Sequence, residues 1–407
     1  MMRAAFGSVK DGEVRGSRFE EQISPNLEPR TPNPSPCILP HMTETEERAY
    51  WVAWARVPGI GPVRLRLLAH AFGTLKAAWN GRALDLRGAG LDERTTASAV
   101  KAFATLDPAT EWEQTVQAGI TVLTWNDAEY PDRLRSIASA PAILYVRGTL
   151  TADDALAVAI VGTRRATPYG REVTHRIATD LAAVGVTVIS GLAKGIDGIA
   201  HDRALAAGGR TIAVLGHGMH TIYPPEHRSL AARIAEGGGA LITEYPLGAR
   251  IDPANFPARN RIISGLALGV VIVEADRKSG ALITADFAAD QGRDVFAVPG
   301  SILSPMSAGT NALIKDGARL VTSVDDILAE LRLEIRREQY ATQQALPTLP
   351  GVPGAEALLG ALSAEPAHID DLCRACGLPI SDVNGLLVQL QLTGAVRPAG
   401  PQLYVRA

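Results

Sequence analysis

The 407-residue chain has little cysteine, no large excess of either charge, and no apolar run of membrane-spanning length. Its three cysteines, Cys37, Cys373 and Cys376, cannot build a disulfide framework, which favours a reducing compartment. The longest apolar run, residues 262–273, is shorter than the roughly 20 residues that a transmembrane helix needs. The N-terminus also lacks the apolar segment of a secretory signal. We therefore expect a cytoplasmic protein with no membrane partner.

The charge is close to balanced, with 40 Lys+Arg against 43 Asp+Glu and a formal net charge of −3. Taken alone, this mild acidity argues against nucleic acid as a partner. The charge is unevenly divided, however: residues 157–321 hold 17 Lys+Arg and 14 Asp+Glu, whereas residues 322–407 hold 6 and 10. Because the local excess of cations is modest, a polyanion site would depend on where the cations lie rather than on their number.

The length predicts two or three domains, and the N-terminal part divides in two. Residues 1–42 are rich in proline and show no periodicity, so we expect a disordered extension. We hypothesise that translation starts at Met42 instead of Met1, because Thr43 could cap a helix that follows directly. Residues 43–115 predict a small helical domain of the SAM or helix–hairpin–helix kind. Its P-G-I-G-P turn either brings a helix N-terminus to a phosphate or only joins two helices.

At the other end of the chain, residues 332–354 predict a Pro/Gly-rich linker and residues 355–407 a winged helix. A DNA-reading winged helix offers basic or amide side chains from its third helix. Residues 381–393 contain no Lys or Arg, so DNA binding and a protein-contact role both stay open. Cys373 and Cys376 have no partner pair, and we expect no metal there.

Residues 116–331 alternate Val/Ile/Ala-rich runs with amphipathic segments. Continuous apolar strands separated by helices indicate a mostly parallel sheet covered on both faces, that is, a Rossmann-like doubly wound α/β domain. Ligands of such sheets bind in the crevice at the carboxyl ends of the strands. We therefore expect the site in the loops that follow the strands.

Four crevice loops each lead into a helix N-terminus and each carry a cation. They are VGTRRATPYG at 161–170, with Thr167 as cap and Pro168 at the first helical position, SGLAKGID at 190–197, FPARNR at 256–261 and KSGALIT at 278–284. Neither G-x-G-x-x-G nor G-x-x-x-x-G-K-[ST] is present in these loops. Cations spread over four helix N-termini suit an extended polyanion better than a mononucleotide.

The runs VGTRRATPYG, SGLAKGIDGIAH, VLGHGMHTIYPPEH, LITEYPLG, FPARNRIISGL, VEADRKSGALITA and VFAVPG resemble, in this order, the DNA-processing protein A (DprA, or Smf) family. The resemblance covers about residues 121–331. It implies a homodimer that binds and protects single-stranded DNA and loads the recombinase RecA during natural transformation. We expect no catalysis and no cofactor. A role in transformation and a role in housekeeping repair both stay open.

The resemblance also implies the residues of the site. The basic contacts would be Arg164 and Lys194, with Arg165, Arg259, Asn260 and Arg261 as supports and Gly162, Gly191, Ser279 and Gly280 as backbone or hydroxyl donors. Phe256 lies near these arginines in the sequence, and we predict that it stacks on one base.

Several of these residues have simpler interpretations. Arg259 and Arg261 could instead pair with a carboxylate such as Glu244 or Glu274. Asp197 and His201 share a helix face, and an internal hydrogen bond that fixes the turn is favoured over acid–base chemistry.

His217 and His220 have no further ligands nearby, so we predict no metal site. The alternative function is a nucleotide-processing hydrolase, for which only Glu274 or Asp286 could supply the carboxylate.

Overall fold

The computed structural model describes residues 44–332, 354–363, 365–392 and 394–406. The expected extension over 1–42, the Thr43 cap and nearly all of the expected linker over 332–354 lie outside the described residues. Across the residues that are described, no helix has the length and apolar character to cross a bilayer.

The first described part is helical, as predicted. Its helices are α1 (Glu44–Ala55), α2 (Pro62–Phe72), α3 (Leu75–Trp79), α4 (Ala83–Gly88), α5 (Glu93–Thr105) and α6 (Pro108–Gln117). Three aromatic rings form its centre: Trp54 meets Trp79 and Phe103 edge to face, with ring centroids 5.3 and 5.5 Å apart. The Trp54 indole donates to the Leu75 carbonyl at 3.0 Å. The P-G-I-G-P turn joins α1 to α2, whose N-cap Gly61 supplies no side-chain bond.

The central sheet has nine strands. They are β1 (Thr121–Thr124), β2 (Ile143–Gly148), β3 (Ala157–Val161), β4 (Thr187–Ser190), β5 (Thr211–Val214), β6 (Ala240–Thr243), β7 (Gly269–Ile272), β8 (Asp294–Ala297) and β9 (Arg319–Leu320). Their order is β1-β2-β6-β5-β4-β3-β7-β8-β9. From β6 to β9 all neighbours pair in parallel, and only β1–β2 and β2–β6 are antiparallel. The predicted Rossmann-like, mostly parallel sheet is confirmed.

Helices cover both faces of this sheet. They are α7 (Asp132–Arg135), α8 (Pro168–Ala183), α9 (Ile196–Ala206), α10 (Arg228–Glu236), α11 (Asn255–Leu266), α12 (Gly280–Asp290), α13 (Ala308–Lys315) and α14 (Val324–Glu330). One apolar core joins α8, α9 and α14 to the strands, and another joins α7, α11 and α12 to the opposite face. The strands are buried on both sides, which explains why they read as continuous Val/Ile/Ala runs without alternation.

The C-terminal part has the helices and hairpin of a winged helix. Its elements are α15 (Ala355–Ala361), β10 (Ala367–His368), α16 (Ile369–Cys376), α17 (Ile380–Leu392), β11 (Val396–Gly400) and β12 (Leu403–Arg406). β12 pairs antiparallel with both β10 and β11 around a separate leucine-rich core. The β11–β12 hairpin, here called the wing, reaches the larger domain, where Arg397 Nη2 lies 2.5 Å from Glu172 Oε1 on α8.

Candidate functional site

The connections of the sheet reverse direction beside β3. From β3 the chain proceeds through β4, β5 and β6 on one side, then returns to build β7, β8 and β9 on the other. The helices that follow β3 and β7 lie on opposite faces, so their first turns separate and leave a crevice between them. A cleft of about 450 Å³ lies there, at the carboxyl ends of the strands, as predicted.

Eight of the eleven predicted site residues line this cleft. They are Gly162, Arg164, Arg165, Phe256, Arg259, Asn260, Ser279 and Gly280. The loop after β3, the first turns of α11 and the N-terminus of α12 supply them. The remaining three, Gly191, Lys194 and Arg261, do not line the cleft, and each has a different position.

Arg164 and Arg165 are the exposed cations at the mouth of the cleft. Within the described part of the chain neither side chain makes an ion pair. The Arg164 guanidinium carbon lies 6.0 Å from the centroid of the Phe256 ring, at the distance of a cation–π contact. The ring of Phe256 is half-buried, and it also contacts the Tyr223 ring, with centroids 5.7 Å apart. A cation and two aromatic rings therefore meet at one edge of the cleft.

Tyr223 is the aromatic residue that the sequence reasoning missed. It is 41% exposed and belongs to the loop between β5 and α10. A tyrosine immediately before two prolines in a crevice loop was a usable signal, because the residue before a proline is biased away from helical backbone, which keeps Tyr223 in the loop.

Arg259 forms the floor of the cleft and is buried, with 4% of its surface exposed. Its Nη1 donates to the carbonyl of Gly191 at 2.8 Å and to that of Val214. Its Nε–H has no hydrogen-bond partner among the described residues. Burial, together with the Arg164 charge, lowers the pKa of Arg259 to about 10, against the opposing pull of Asp197. The guanidinium still carries its charge at neutral pH.

Gly191 lies beneath Arg259 and is not a free donor. Its N–H donates to Asp197 Oδ2 at 3.1 Å, and its carbonyl accepts from Arg259. Asp197 also accepts from the Ala193 N–H at 3.4 Å, so this carboxylate fixes the turn, which is the predicted internal hydrogen bond. Burial raises the pKa of Asp197.

His201, which shares a face of α9 with Asp197, has its own partner, the Thr211 hydroxyl at 2.6 Å from Nδ1. Burial lowers the pKa of His201 to about 3, so the ring is neutral in the folded protein. Asp197 and His201 therefore serve two separate contacts rather than one acid–base pair.

Lys194 lies outside the cleft on the far side of the β4 loop. Its ammonium group pairs with Glu226 in the open, and both side chains are more than half exposed. The contact with Glu226 raises the pKa of Lys194. An exposed pair of this kind contributes little to stability, so Lys194 can exchange its partner for another anion at small cost.

Arg261 is committed to an ion pair with Glu244, the simpler interpretation that the sequence had left open. Its Nη1 and Nη2 lie 2.5 and 2.7 Å from the two Glu244 oxygens, and its Nε donates to the Ser139 carbonyl at 3.0 Å. The side chain is 8% exposed. We therefore assign Arg261 an internal role and remove it from the candidate contacts.

The opposite wall of the cleft is the N-terminus of α12. The Ser279 hydroxyl caps this helix by accepting from the Ala281 N–H at 3.3 Å. Asn260 donates to the Gly280 carbonyl at 3.2 Å and thereby ties α11 to α12. Gly280 is exposed, and a Cβ placed on it would meet no atom within 4 Å.

Glu274, two residues after β7, holds the start of α8. Its Oε1 accepts from the Thr167 hydroxyl at 2.5 Å and its Oε2 from the Thr167 N–H at 3.0 Å. Thr167 is the N-cap of α8 with Pro168 next to it, as predicted. A Cβ at Gly170 would collide with the Glu274 carboxylate, so only glycine fits there. No pattern in the sequence joins Glu274 to a threonine 107 residues away.

The carboxylates considered for hydrolysis are not placed for it. Glu274 is 1% exposed and accepts hydrogen bonds from Thr167. Asp286 is exposed on α12 and does not line the cleft. The carboxylates that line the cleft are Asp197, which is bonded to two backbone N–H groups, and Asp276, which accepts from the Lys278 N–H at 2.7 Å.

The fold and this site define the chain as a Rossmann-like α/β protein that presents cations and aromatic rings at its switch point. The sequence model of the family described as DNA recombination-mediator protein A matches residues 121–332, and that of the DprA winged helix domain matches residues 341–400. The chain belongs to the DNA recombination-mediator protein A (DprA/Smf) family. The predicted C-terminal winged helix is thereby also confirmed.

Relatives agree with this assignment over most of the chain. Protein Smf of Synechocystis is 38% identical over 394 residues, which cover 88% of this chain and 99% of that protein. Protein Smf of Escherichia coli is 42% identical over 284 residues, 68% of this chain and 75% of that protein. The X-ray structure of DNA processing protein A from Streptococcus pneumoniae is similar with a TM-score of 0.60 at 34% identity, covering 71% of this chain and 99% of that one.

The two glycines at the site should respond in opposite ways to alanine. In Gly191→Ala the new Cβ would lie 2.6–2.8 Å from the Arg259 guanidinium, which cannot retreat because it is buried and bonded to two carbonyls. We expect a loss of about 1–3 kcal/mol in the free energy of unfolding, measured by urea denaturation. Gly280→Ala is the matched control and should be neutral or stabilising by up to about 1 kcal/mol. Equal stability of the two variants would contradict this account of Arg259.

Proposed function

We propose that this protein binds single-stranded DNA in the cytoplasm and that the cleft beside β3 is the contact site. The observation that supports this most directly is the grouping of Arg164 and Arg165 with Phe256. Both arginines are exposed and make no ion pair within the described residues, so they can meet phosphates without first losing a carboxylate. Phe256 and Tyr223 offer ring surface beside them. Cations with interleaved aromatics are what an unpaired strand requires.

Single-stranded DNA fits this site better than a duplex. A base must leave its pair before it can stack on an aromatic side chain, and the cleft of about 450 Å³ has no room for a double helix. In the winged helix, the described residues of α17 include no Lys or Arg that could enter a duplex groove. The pneumococcal relative is called a DNA processing protein, and we infer a role in DNA processing for this chain, which the family resemblance extends to transformation.

We further propose that the chain acts without catalysis and without a cofactor. The carboxylates that line the cleft are bonded to backbone N–H groups, and Glu274 is bonded to Thr167. Binding and protection of the strand need none of them as an acid or base. The contacts needed are charge and stacking, which the cleft supplies.

Arg164→Ala should weaken binding to an oligothymidylate about tenfold at low salt, because it removes a charge that contacts phosphate. The slope of log affinity against log salt should also become shallower by about 0.7. Fluorescence anisotropy across a salt series measures both. Arg374→Ala is the control, since Arg374 is also an exposed arginine but lies on α16, where it pairs with Asp371. Unchanged affinity and slope in Arg164→Ala would refute the cleft as the DNA site.

The family resemblance supports a second step, the loading of RecA on the bound strand. We expect RecA filaments to appear faster on single-stranded DNA that this protein has coated than on the strand alone, as followed by electron microscopy or by RecA ATP hydrolysis. Arg164→Ala should lose this acceleration in proportion to its lost DNA binding. RecA filaments that form equally fast with and without the protein would exclude the loading role.

A homodimer is supported by exposed apolar side chains at one end of the sheet. Ile302 and Leu303 are 93% and 88% exposed in the loop after β8, and Leu320 is 48% exposed in the edge strand β9. An edge strand beside exposed apolar residues suits association with a second copy. Light scattering should give twice the 43.0 kDa chain mass. A double change, Ile302→Ser with Leu303→Ser, should shift the mass towards one chain, and a monomeric wild type would refute the dimer.

A further inference from the structure

A second, larger groove opens between the wing and the face of α8. Its volume is about 1640 Å³, and it is lined on one side by α8, α9 and the loops above them, on the other by Glu365, Pro366 and the wing. Arg397 holds the wing in place through its ion pair with Glu172. The groove therefore has one wall from each of two domains.

This groove and the cleft beside β3 meet at Arg164, which lines both. Lys194, which the cleft itself does not include, lies in the groove. A strand that contacts Arg164 and leaves the cleft on this side enters the groove that Lys194 lines. The position of Lys194, which does not fit a site confined to the cleft, fits a path that runs through both cavities.

The groove has the chemistry of a polyanion path. Six Arg or Lys side chains line it against three carboxylates. Arg171 and Arg176 on α8 are exposed, and the ion pair of Arg176 found among the described residues is a long one, 4.0 Å to Asp180. Weakly paired cations of this kind can contact phosphates at a small cost in free energy.

Tyr169 supplies an aromatic surface inside the groove. It is 48% exposed, although its hydroxyl donates to the Pro299 carbonyl at 2.7 Å. The hydrogen bond fixes the ring at one end and leaves its remaining surface accessible. A ring held in this way can stack on a base without losing much conformational freedom.

We propose that single-stranded DNA leaves the cleft at Arg164 and continues between α8 and the wing, with Tyr169 as a stacking platform and Arg397 in the second wall. This inference rests on the proposed function and extends it. In this proposal the winged helix contacts single-stranded DNA through its wing, and α17 does not bind a duplex.

Oligonucleotide length separates the two cavities. An oligothymidylate of about 5 nucleotides can fill the cleft, whereas one of about 20 also reaches the groove. In the full-length protein, Tyr169→Ala should leave affinity for the short oligonucleotide unchanged and weaken the long one about tenfold. Tyr169→Phe keeps the ring but removes the hydroxyl bond to Pro299, so it should recover most of the long-oligonucleotide affinity that Tyr169→Ala loses and should leave the short oligonucleotide unaffected. Fluorescence anisotropy gives the affinities, and thermal melting confirms that each variant is folded.

Arg397→Glu tests the wing independently of Tyr169. It places a carboxylate opposite Glu172 and removes a cation from the groove, so binding of the long oligonucleotide should weaken by about tenfold or more. Arg374→Glu makes the same change of charge on α16, where Arg374 is 79% exposed, and should have little effect.

Three results would overturn the groove path. The first is unchanged binding of the long oligonucleotide in both Tyr169→Ala and Arg397→Glu. The second is tighter binding of the long oligonucleotide in Arg397→Glu, which would mean that the wing obstructs the strand. The third is equal weakening of the short and the long oligonucleotide in Tyr169→Ala. Failure of the cleft itself would look different, because Arg164→Ala would then leave the short oligonucleotide bound as tightly as before.

Discussion

The buried contact between Glu274 and Thr167 holds the site together. Thr167 caps α8, which follows β3, and Glu274 lies two residues after β7, so the carboxylate joins the two chain segments between which the crevice opens. The backbone adds a second tie, because the Thr163 N–H donates to the Glu274 carbonyl at 2.8 Å. A buried carboxylate needs such donors, and it is also favourable at a helix N-terminus. The loop between these two anchors, residues 164–166, is therefore short and fixed, and Arg164 projects from it into solvent.

A second buried charge performs the same task on the other side of the crevice. Arg259 reaches beneath the cleft to two carbonyls at the ends of β4 and β5, while Asp197 accepts from the turn that follows β4. The opposite charges of Arg259 and Asp197 lie close enough that each moves the pKa of the other towards its charged form. The geometry of the floor thus requires two buried charges, and it leaves the exposed arginines at the rim free for a ligand.

The sheet was predictable because its strands are buried on both faces and read as unbroken apolar runs. The crevice loops were predictable for the same reason, since each follows such a run, and Thr167 with Pro168 marks a helix start by local chemistry alone. Contacts between distant segments were not predictable. Nothing local links Glu274 to Thr167, and nothing in residues 381–393 indicates that the neighbouring wing would lie against α8.

The R-N-R run at 259–261 shows where helix geometry could have been used further. Successive residues of a helix are about 100° apart, so the first and third of three consecutive residues lie about 200° apart and face opposite sides. Arg259 faces the floor of the cleft, and Arg261 faces Glu244 on the other side of α11. A strand of DNA that lies in the cleft therefore cannot contact both arginines. The rule follows from the sequence as soon as α11 is recognised as a helix, and it divides one basic motif into a residue that shapes the cleft and a residue that anchors the helix behind it.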